Sequence, residues 1–257
     1  MNAQHLNNID PDDNLSNLLD NPDIFNCPLL TTDTFKQTVQ PSLKETLSVI
    51  CFNIRSFNRN IDEFLGFLSN CGHSFDIIIL TETWAKDESQ SLCHISGFKS
   101  THNFRPNKRG GGVSIFVKEN LSFDVIDELN ISDVDIECVG VRLSPIASNF
   151  STTILGVYRQ PRGSYPSFQT KLDEIISAHN LTQNDTLLVG DFNICLLNED
   201  YSDTTNSFIN SLRSSDFYPV ISRPTRIGPN NSLSCIDHIW TNTNRVSNWY
   251  IHHGYNR

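Results

Sequence analysis

The stretch "LLVGDFNICL" at residues 187–196 places a carboxylate and an amide directly after an apolar run. The apolar run has the composition of a buried strand, and Asp191 and Asn193 follow it with one aromatic residue between them. Neighbouring side chains of a strand point to opposite faces, so Asp191 and Asn193 share one face while Phe192 is expected to pack into the core. The stretch therefore predicts a buried strand that delivers two polar groups to one site.

The regions on both sides of this strand alternate between strand and helix patterns. Strands are predicted at residues 47–54, 75–82, 111–118, 136–143, 151–159, 185–192 and 234–242, and helices at 58–71, 164–180 and 206–216. Helices alternating with strands, and consecutive strands in the middle, predict a mixed two-sheet α/β sandwich with the helices outside. We assign residues 47–257 to one domain. Residues 1–46, with scattered Asn, Asp and Pro, are expected to form a disordered or weakly ordered lead-in.

Composition narrows the class of protein. The seven cysteines include no CxxC pair, which favours buried thiols in a reducing compartment over a disulfide framework or a zinc knuckle. No run reaches the roughly 20 apolar residues that cross a bilayer, and the start "MNAQHLNNIDPDDN" lacks a signal-peptide pattern. We therefore expect a cytoplasmic or nuclear protein that is neither secreted nor membrane-bound.

The net charge of -10 argues at first against a nucleic-acid partner, because phosphate binding usually leaves a basic surface. A divalent metal and a few local arginines can nevertheless bring a polyanion to an acidic protein. The charge therefore does not exclude nucleic acid.

Polar residues recur at the carboxyl end or exit of the predicted strands, the place where α/β sheets gather their ligand sites, and in the block "SCIDHIW". They are Asn53, Glu82, Tyr158, Arg159, Asp191, Asn193 and Asp237 with its neighbour His238. Each alone is more readily explained as a turn former or a helix cap than as a functional residue. Their joint occurrence predicts a common site.

These residue types suit metal-assisted phosphodiester hydrolysis. Mg²⁺, or alternatively Mn²⁺, takes oxygen ligands and often only one or two carboxylates, a role that fits Glu82. Asp191 suits the orientation and deprotonation of a water. Asn193, Tyr158 and Arg159 are donors for the charge that develops on a phosphoryl group.

The ordered blocks of the chain resemble the endonuclease/exonuclease/phosphatase superfamily, which has the DNase I-like fold. The blocks are "CFNIRS" (51–56), "LTETW" (80–84), "RGGGVSIFV" (109–117), "GVYRQP" (156–161), "VGDFN" (189–193), "RPTR" (223–226) and "SCIDHIW" (234–240). Their wording is most similar to the apurinic/apyrimidinic-type endonuclease domain of non-LTR (LINE-type) retrotransposons. The "GGG" block lacks the Lys-Ser/Thr of a P-loop and leads into a strand, so we interpret it as a turn.

The resemblance implies a role for each matching residue. Asn53 and Glu82 are implied at the metal, Tyr158 at the scissile phosphate, Asp191 at the water and Asn193 at the transition state. Thr225 is implied to contact DNA, and Asp237 to orient a catalytic histidine. Arg55 and Arg109 are further candidates for phosphate contacts, although a solvated loop explains Arg55 as well.

The catalytic histidine of the superfamily lies in a final "SDH" motif, and the chain ends at "WYIHHGYNR" (249–257) without one. His238 is not expected to replace it, because neighbours on a strand face opposite ways. His252 and His253 lack the Ser-Asp context. We therefore expect a C-terminally incomplete domain that lacks its last strand.

Three functions remain open. The resemblance implies a Mg²⁺-dependent endonuclease that nicks DNA as a monomer and leaves a 3′-hydroxyl to prime an associated reverse transcriptase. The alternatives are another phosphodiesterase or phosphatase of the superfamily, such as a deadenylase or an inositol-phosphate phosphatase, and a catalytically dead remnant that binds nucleic acid.

Overall fold

The computed structural model describes residues 27, 29–39, 47–86, 93–105, 110–145, 151–197, 203–243 and 251–252. These residues form fourteen strands, four α-helices and two short 3-10 helices. In chain order they are β1 (Leu29–Leu30), α1 (Thr32–Thr38), β2 (Val49–Asn53), α2 (Phe57–Cys71), β3 (Ile77–Thr81), β4 (Phe98–Asn103), β5 (Val113–Lys118), β6 (Phe123–Ser132), β7 (Ile136–Leu143), β8 (Thr152–Arg159), α3 (Tyr165–Ala178), a 3-10 turn (Leu181–Gln183), β9 (Asp185–Asp191), α4 (Asp203–Ser214), β10 (Tyr218–Pro219), β11 (Arg226–Ile227), a 3-10 turn (Pro229–Asn231), β12 (Leu233–Ser234), β13 (Asp237–Thr241) and β14 (Ile251–His252).

Two mixed sheets carry the fold. The larger has the strand order β10, β13, β9, β8, β7, β6, and the smaller has the order β2, β3, β5, β4. The pairs β8–β9 and β2–β3 are parallel, and the other pairs within these two sheets are antiparallel. Both parallel pairs are joined through helices, because a parallel connection needs a crossover.

Three apolar layers hold the sheets and helices together. The first lies between the two sheets and includes Ile79 and Ile115 of the smaller sheet with Val139 and Val189 of the larger. The second lies under α3 and α4 on the outer face of the larger sheet, and the third under α2 on the outer face of the smaller sheet. The central strands are consequently buried on both faces, which explains their nearly continuous apolar sequences.

The prediction of a two-sheet α/β sandwich with outer helices is confirmed. Phe192 is fully buried beneath α3 and α4, as predicted from the alternation of faces. The strands β4 and β6 were not predicted. Nor was any element predicted within residues 1–46, where β1 and α1 lie and where Phe35 of α1 packs against Cys71 and Phe75.

Two further features bear on the class of protein. The cysteines of the described residues are all free thiols. Within the same residues, no helix has the length and apolar character that crossing a membrane requires.

Candidate active site

A row of four side chains crosses the larger sheet from β7 to β13. Glu137 lies opposite Tyr158, Tyr158 opposite Asp191, and Asp191 opposite Asp237 in the strand register. Residues directly opposite one another on neighbouring strands point to the same face. The row therefore brings three carboxylates and a phenol to one edge of the sheet, where β9 ends and β13 begins.

The smaller sheet meets this row through Asn53 and Glu82. Asn53 is the last residue of β2, and Glu82 follows β3 directly. Asn53 Nδ2 donates to Glu82 Oε1 at 3.1 Å and to Asp191 Oδ2 at 2.8 Å. The Tyr158 hydroxyl donates to Glu82 Oε1 at 3.4 Å. Four residues predicted from separate strand ends are thus joined in one hydrogen-bonded cluster.

The backbone that carries Glu82 is held in an unusual conformation. Glu82 and Trp84 have positive φ values of 52° and 55°, a region that residues other than glycine occupy rarely. Backbone hydrogen bonds from Ser56 N to Glu82 O, at 2.8 Å, and from Trp84 N to Gly111 O, at 2.9 Å, fix this turn. The Trp84 indole Nε1 also donates to Glu82 Oε2 at 3.2 Å. Local strain of this kind persists where the surroundings over-determine it, as they often do at functional sites.

Gly190 determines how closely β9 approaches β8 just before Asp191. Its φ is 157°, and a Cβ built on it would lie 1.8 Å from the carbonyl oxygen of Val157. A side chain at this position would displace the strand end. The glycine in "VGDFN" is therefore required by the backbone geometry that presents Asp191.

The two facing aspartates are electrostatically unfavourable neighbours. Burial and the nearby Asp237 raise the pKa of Asp191 to about 8, although Asn53 and the Asn193 N–H lower it. Burial also raises the pKa of Asp237 to about 6, against the lowering effects of Thr225, Arg226 and Arg55. A buried and a half-buried carboxylate at facing positions favour holding a proton or a cation between them.

Asn193 and Arg159 support one another behind the site. Asn193 is in the left-handed region at φ 48°, and its backbone N–H donates to Asp191 Oδ1 at 3.1 Å. Its Nδ2 donates to Arg159 O at 2.7 Å, and Arg159 Nη1 donates to Asn193 O at 3.3 Å. Arg159 is buried, donates also to Gly163 O at 2.9 Å and stacks on Phe168. The guanidinium of Arg159 thus points inward and braces the Asn193 loop, and its binding of substrate stays a prediction.

The other predicted substrate contacts, Thr225, Arg55 and Arg109, have different surroundings. The Thr225 hydroxyl accepts from the N–H groups of Ile236 and Asp237 and bonds the Asp237 carboxyl, so in this structure it serves Asp237. Arg55 is exposed and close enough to Asp237 to lower the pKa of that carboxyl. Arg109 lies outside the described residues. Its neighbours Gly110 and Gly111 form the predicted turn into β5.

His238 faces away from Asp237, as predicted. Its Nε2 lies 2.9 Å from Ile194 O and 3.1 Å from Cys235 O, and Trp240 Nε1 donates to Nδ1 at 3.3 Å. Burial lowers the pKa of His238 to about 4, which keeps the ring neutral. Only the backbone of His252 is described, and His253 lies outside the described residues.

The cluster offers oxygen ligands to a hard cation. Asn53 Oδ1 is buried and accepts no hydrogen bond, while its amide nitrogen faces the carboxylates of Glu82 and Asp191. No group of three or more His, Cys, Asp and Glu side chains within the described part of the chain is placed to hold a metal. Mg²⁺ does not need one, since it commonly keeps waters and takes only one or two protein carboxylates. The oxygen donors of the cluster therefore fit a hard divalent cation.

The structure adds three residues to the site that were not predicted from the sequence, namely Trp84, Arg105 and Glu137. Arg105 Nε and Nη2 bind Glu137 Oε1, and Glu137 is the fully buried first member of the row described above. The available signal was a charged residue inside the otherwise apolar strand pattern "IECVGVRL". A buried carboxylate requires a partner, and this one finds it in Arg105.

Comparisons with known proteins agree with the fold. Residues 50–254 match the sequence model described as the endonuclease/exonuclease/phosphatase family. Searched by sequence, the curated proteins give no match to this chain. Three solved structures that are similar to it share only 12–14% of its residues, so their likeness concerns the fold alone.

The first is the endonuclease domain of TRAS1, a telomere-specific non-LTR retrotransposon, with 12% identity, a TM-score of 0.58, and coverage of 76% of this chain and 83% of that one. The second is the AP endonuclease LMAP from Leishmania major, with 14% identity, a TM-score of 0.59, and coverage of 85% and 88%. The third is the 3′ phosphatase NExo from Neisseria bound to product DNA hairpin, with 14% identity, a TM-score of 0.56, and coverage of 76% and 86%.

Proposed function

We propose, since the chain belongs to the endonuclease/exonuclease/phosphatase family, that it is a divalent-metal-dependent phosphodiester hydrolase that nicks DNA. The observation that carries this proposal is the cluster of Asn53, Glu82, Tyr158 and Asp191, which joins the ends of four strands from two sheets by hydrogen bonds. Hydrolysis of a phosphodiester needs a water activated next to a stabilised phosphoryl group, and this cluster supplies groups for both tasks.

Each residue has a task that its geometry supports. Glu82 and Asn53 Oδ1 are the groups that would hold Mg²⁺, which when bound polarises the phosphate and neutralises its charge. Asp191 accepts the proton of the attacking water, and a pKa of about 8 suits a base that works near neutral pH. The Tyr158 hydroxyl meets a phosphate oxygen. Burial, followed by the nearby Glu82, raises the pKa of Tyr158, so the group remains a donor.

The choice of DNA rests on the neighbours named above. A retrotransposon endonuclease and an AP endonuclease share the fold, and the motif order of this chain is most similar to the retrotransposon branch. A nick that leaves a 3′-hydroxyl would supply a primer for a reverse transcriptase. Manganese can replace magnesium at an oxygen site of this kind.

Conversion of supercoiled plasmid to open circle tests this function. We expect the purified chain to nick plasmid in Mg²⁺ but not in EDTA, and we expect Asp191→Ala and Glu82→Ala to lower the rate at least about 100-fold. Asp124→Ala is the matched control, because Asp124 is an exposed carboxylate on β6, an edge strand of the larger sheet that lies away from the cluster. Equal nicking by all four proteins would reject the proposal.

The same proteins distinguish the other activities of the superfamily. One structural neighbour is a 3′ phosphatase, so an oligonucleotide ending in a 3′-phosphate is assayed beside the plasmid, together with oligo-A RNA and inositol phosphates. Loss of a 3′-phosphate with no plasmid nicking would favour a phosphatase. A chain that binds DNA and turns over none of these substrates would be a catalytically dead remnant.

A further inference from the structure

A buried ion pair closes one end of the row of side chains in the larger sheet. Arg105 reaches from the segment after β4 to Glu137 on β7, and both its Nε and its Nη2 donate to Glu137 Oε1. The Glu137 side chain has no solvent exposure, whereas the Arg105 side chain keeps 14%. Glu137 is therefore completely withdrawn from water, whereas Arg105 keeps a small exposed fraction.

The glycines before β5 are built around this pair. Gly112 N–H donates to Glu137 Oε2, so both oxygens of the carboxylate are occupied. A Cβ on Gly111 would lie 2.6 Å from Arg105 Nη2 and 2.6 Å from Glu137 Oε2. Gly111 also has a φ of 72°, which side chains rarely adopt. The "GGG" turn thus covers the ion pair with bare backbone.

The guanidinium lies near Tyr158 and Glu82. Glu137 is the strand neighbour of Tyr158, and Tyr158 in turn donates to Glu82. Burial lowers the pKa of Arg105, but Tyr158 and Glu82 are near enough to raise it, and an arginine so placed stays charged. Among the described residues, none accepts a hydrogen bond from Arg105 Nη1.

We propose that Arg105 binds a non-bridging oxygen of the substrate phosphate through its open Nη1 edge, beside Tyr158, and that Glu137 is the positioning residue that aims it. This inference rests on the proposed phosphodiester chemistry and adds a fixed cation to it. Nothing in the residue-by-residue resemblance assigned either residue.

The ion pair explains how a chain with a net charge of -10 can hold a polyanion at this point. An unpaired buried arginine would be costly, and a free surface arginine would be mobile. Fixing two of its nitrogens on a buried carboxylate leaves the remaining edge preorganised for an incoming oxygen, which lowers the cost of ordering on binding.

The test must separate a phosphate contact from a merely structural pair. Arg105→Met alone would leave Glu137 buried and unpaired, which threatens the fold. The double variant R105M/E137M replaces the pair by apolar residues and is expected to fold, as shown by its urea unfolding midpoint. Lys118→Met is the matched control, because Lys118 pairs with Asp76 at the opposite end of β5.

The first readout is binding to an uncut labelled duplex in EDTA between about 50 and 200 mM KCl. One lost phosphate contact lowers the slope of log Kd against log salt by about one. We expect this change in R105M/E137M and no change in Lys118→Met. We also expect the plasmid-nicking kcat of the double variant to fall about 100-fold, and Arg105→Lys to retain the salt slope while losing part of kcat.

The outcomes keep this inference apart from the proposed function. A wild-type chain that does not nick, but whose salt slope falls in the double variant, would reject the nicking proposal and support the Arg105 contact. A wild-type chain that nicks, with a folded double variant of unchanged slope and rate, would overturn the Arg105 contact alone. A wild-type chain that neither binds nor nicks would overturn both.

Discussion

Two pairs of ionisable groups lie on either side of Tyr158 in the larger sheet, and they are opposite in kind. On one side, Glu137 is matched by Arg105 and by a backbone N–H. On the other side, Asp191 faces Asp237, a second carboxylate in the register of β9 and β13. Glu137 has an opposite charge beside it, whereas Asp191 and Asp237 face one another without a cation between them among the described residues.

The difference between these two pairs suggests a division of tasks between stability and chemistry along one end of the sheet. The attraction within an oppositely charged pair offsets most of its desolvation cost when the hydrogen bonds are good, so such a pair can be a rigid part of the structure. Burial raises the pKa values of both aspartates, and the nearby Asp237 raises that of Asp191 further, so this pair favours any proton or cation that reaches it. We infer that the Asp191 side is the one at which chemistry occurs, while the Glu137 side holds its geometry.

The largest effect is expected from breaking the matched pair. Glu137→Gln removes the charge that Arg105 neutralises and should lower the free energy of unfolding by about 3–5 kcal/mol. Urea denaturation followed by circular dichroism measures this change. R105M/E137M should recover most of the loss. A cost below about 1 kcal/mol would mean that the pair is not a structural part of the frame.

A smaller effect, of opposite sign, is expected from relieving the like-charge pair. The folded-state pKa of Asp191, about 8, lies above its ordinary value of 3.8, so the folded protein binds more protons and its stability falls as the pH rises from about 4 to 8. Asp191→Asn should remove the part of this dependence above about pH 6, below which Asp237 still contributes, and should stabilise the metal-free protein at pH 8 by about 1–3 kcal/mol while abolishing nicking.

Thermal unfolding in EDTA at a series of pH values measures this effect. Asp124→Asn is the control for an exposed carboxylate. A wild-type protein whose stability is flat between pH 5 and pH 8, or an Asp191→Asn protein that is less stable at pH 8, would contradict the like-charge description.

The smallest effect is expected from removing the neutral indole donor that orients the Glu82 carboxylate. Trp84→Phe removes the hydrogen bond to Glu82 Oε2, a loss of about 0.5–1.5 kcal/mol. The Mg²⁺ concentration for half-maximal nicking should therefore rise about 3- to 10-fold with little change in the rate at saturating metal. Tyr165→Phe removes an aromatic donor on α3 and should leave the metal requirement unchanged. An unchanged requirement in Trp84→Phe would exclude indole as an orienting group.

The sequence was sufficient for the parts of the fold that are buried on both faces. The strand predicted at residues 136–143 coincides with β7, because a short apolar run of this kind is typical of a strand that is buried on both faces. The edge strand β6 was missed because most of its side chains are exposed and its register shifts between Ile126 and Ile131. The helix α1 was missed because its seven residues bury one phenylalanine and begin at a Thr31 cap that sequence alone did not single out.

The site divides in the same way. Asp191, Asn53 and Glu82 were predictable because each comes at a strand end, where polarity contrasts with the apolar run before it. The ion pair of Arg105 with Glu137 spans 32 residues and depends on the glycine turn between them, so no local sequence pattern predicts it. The inward direction of Arg159 likewise follows from tertiary packing on Phe168.

The two-residue strands β1 and β14 have a consequence for the kinetics of folding. They pair in parallel, Leu29 with Ile251 and Leu30 with His252, across more than two hundred intervening residues. Closing so long a loop in an unfolded chain is entropically expensive, but the cost is small once the two sheets have brought the segments together. We therefore expect this pair to form late and to open early, and its amides to exchange with solvent through local opening long before those of β8 and β9.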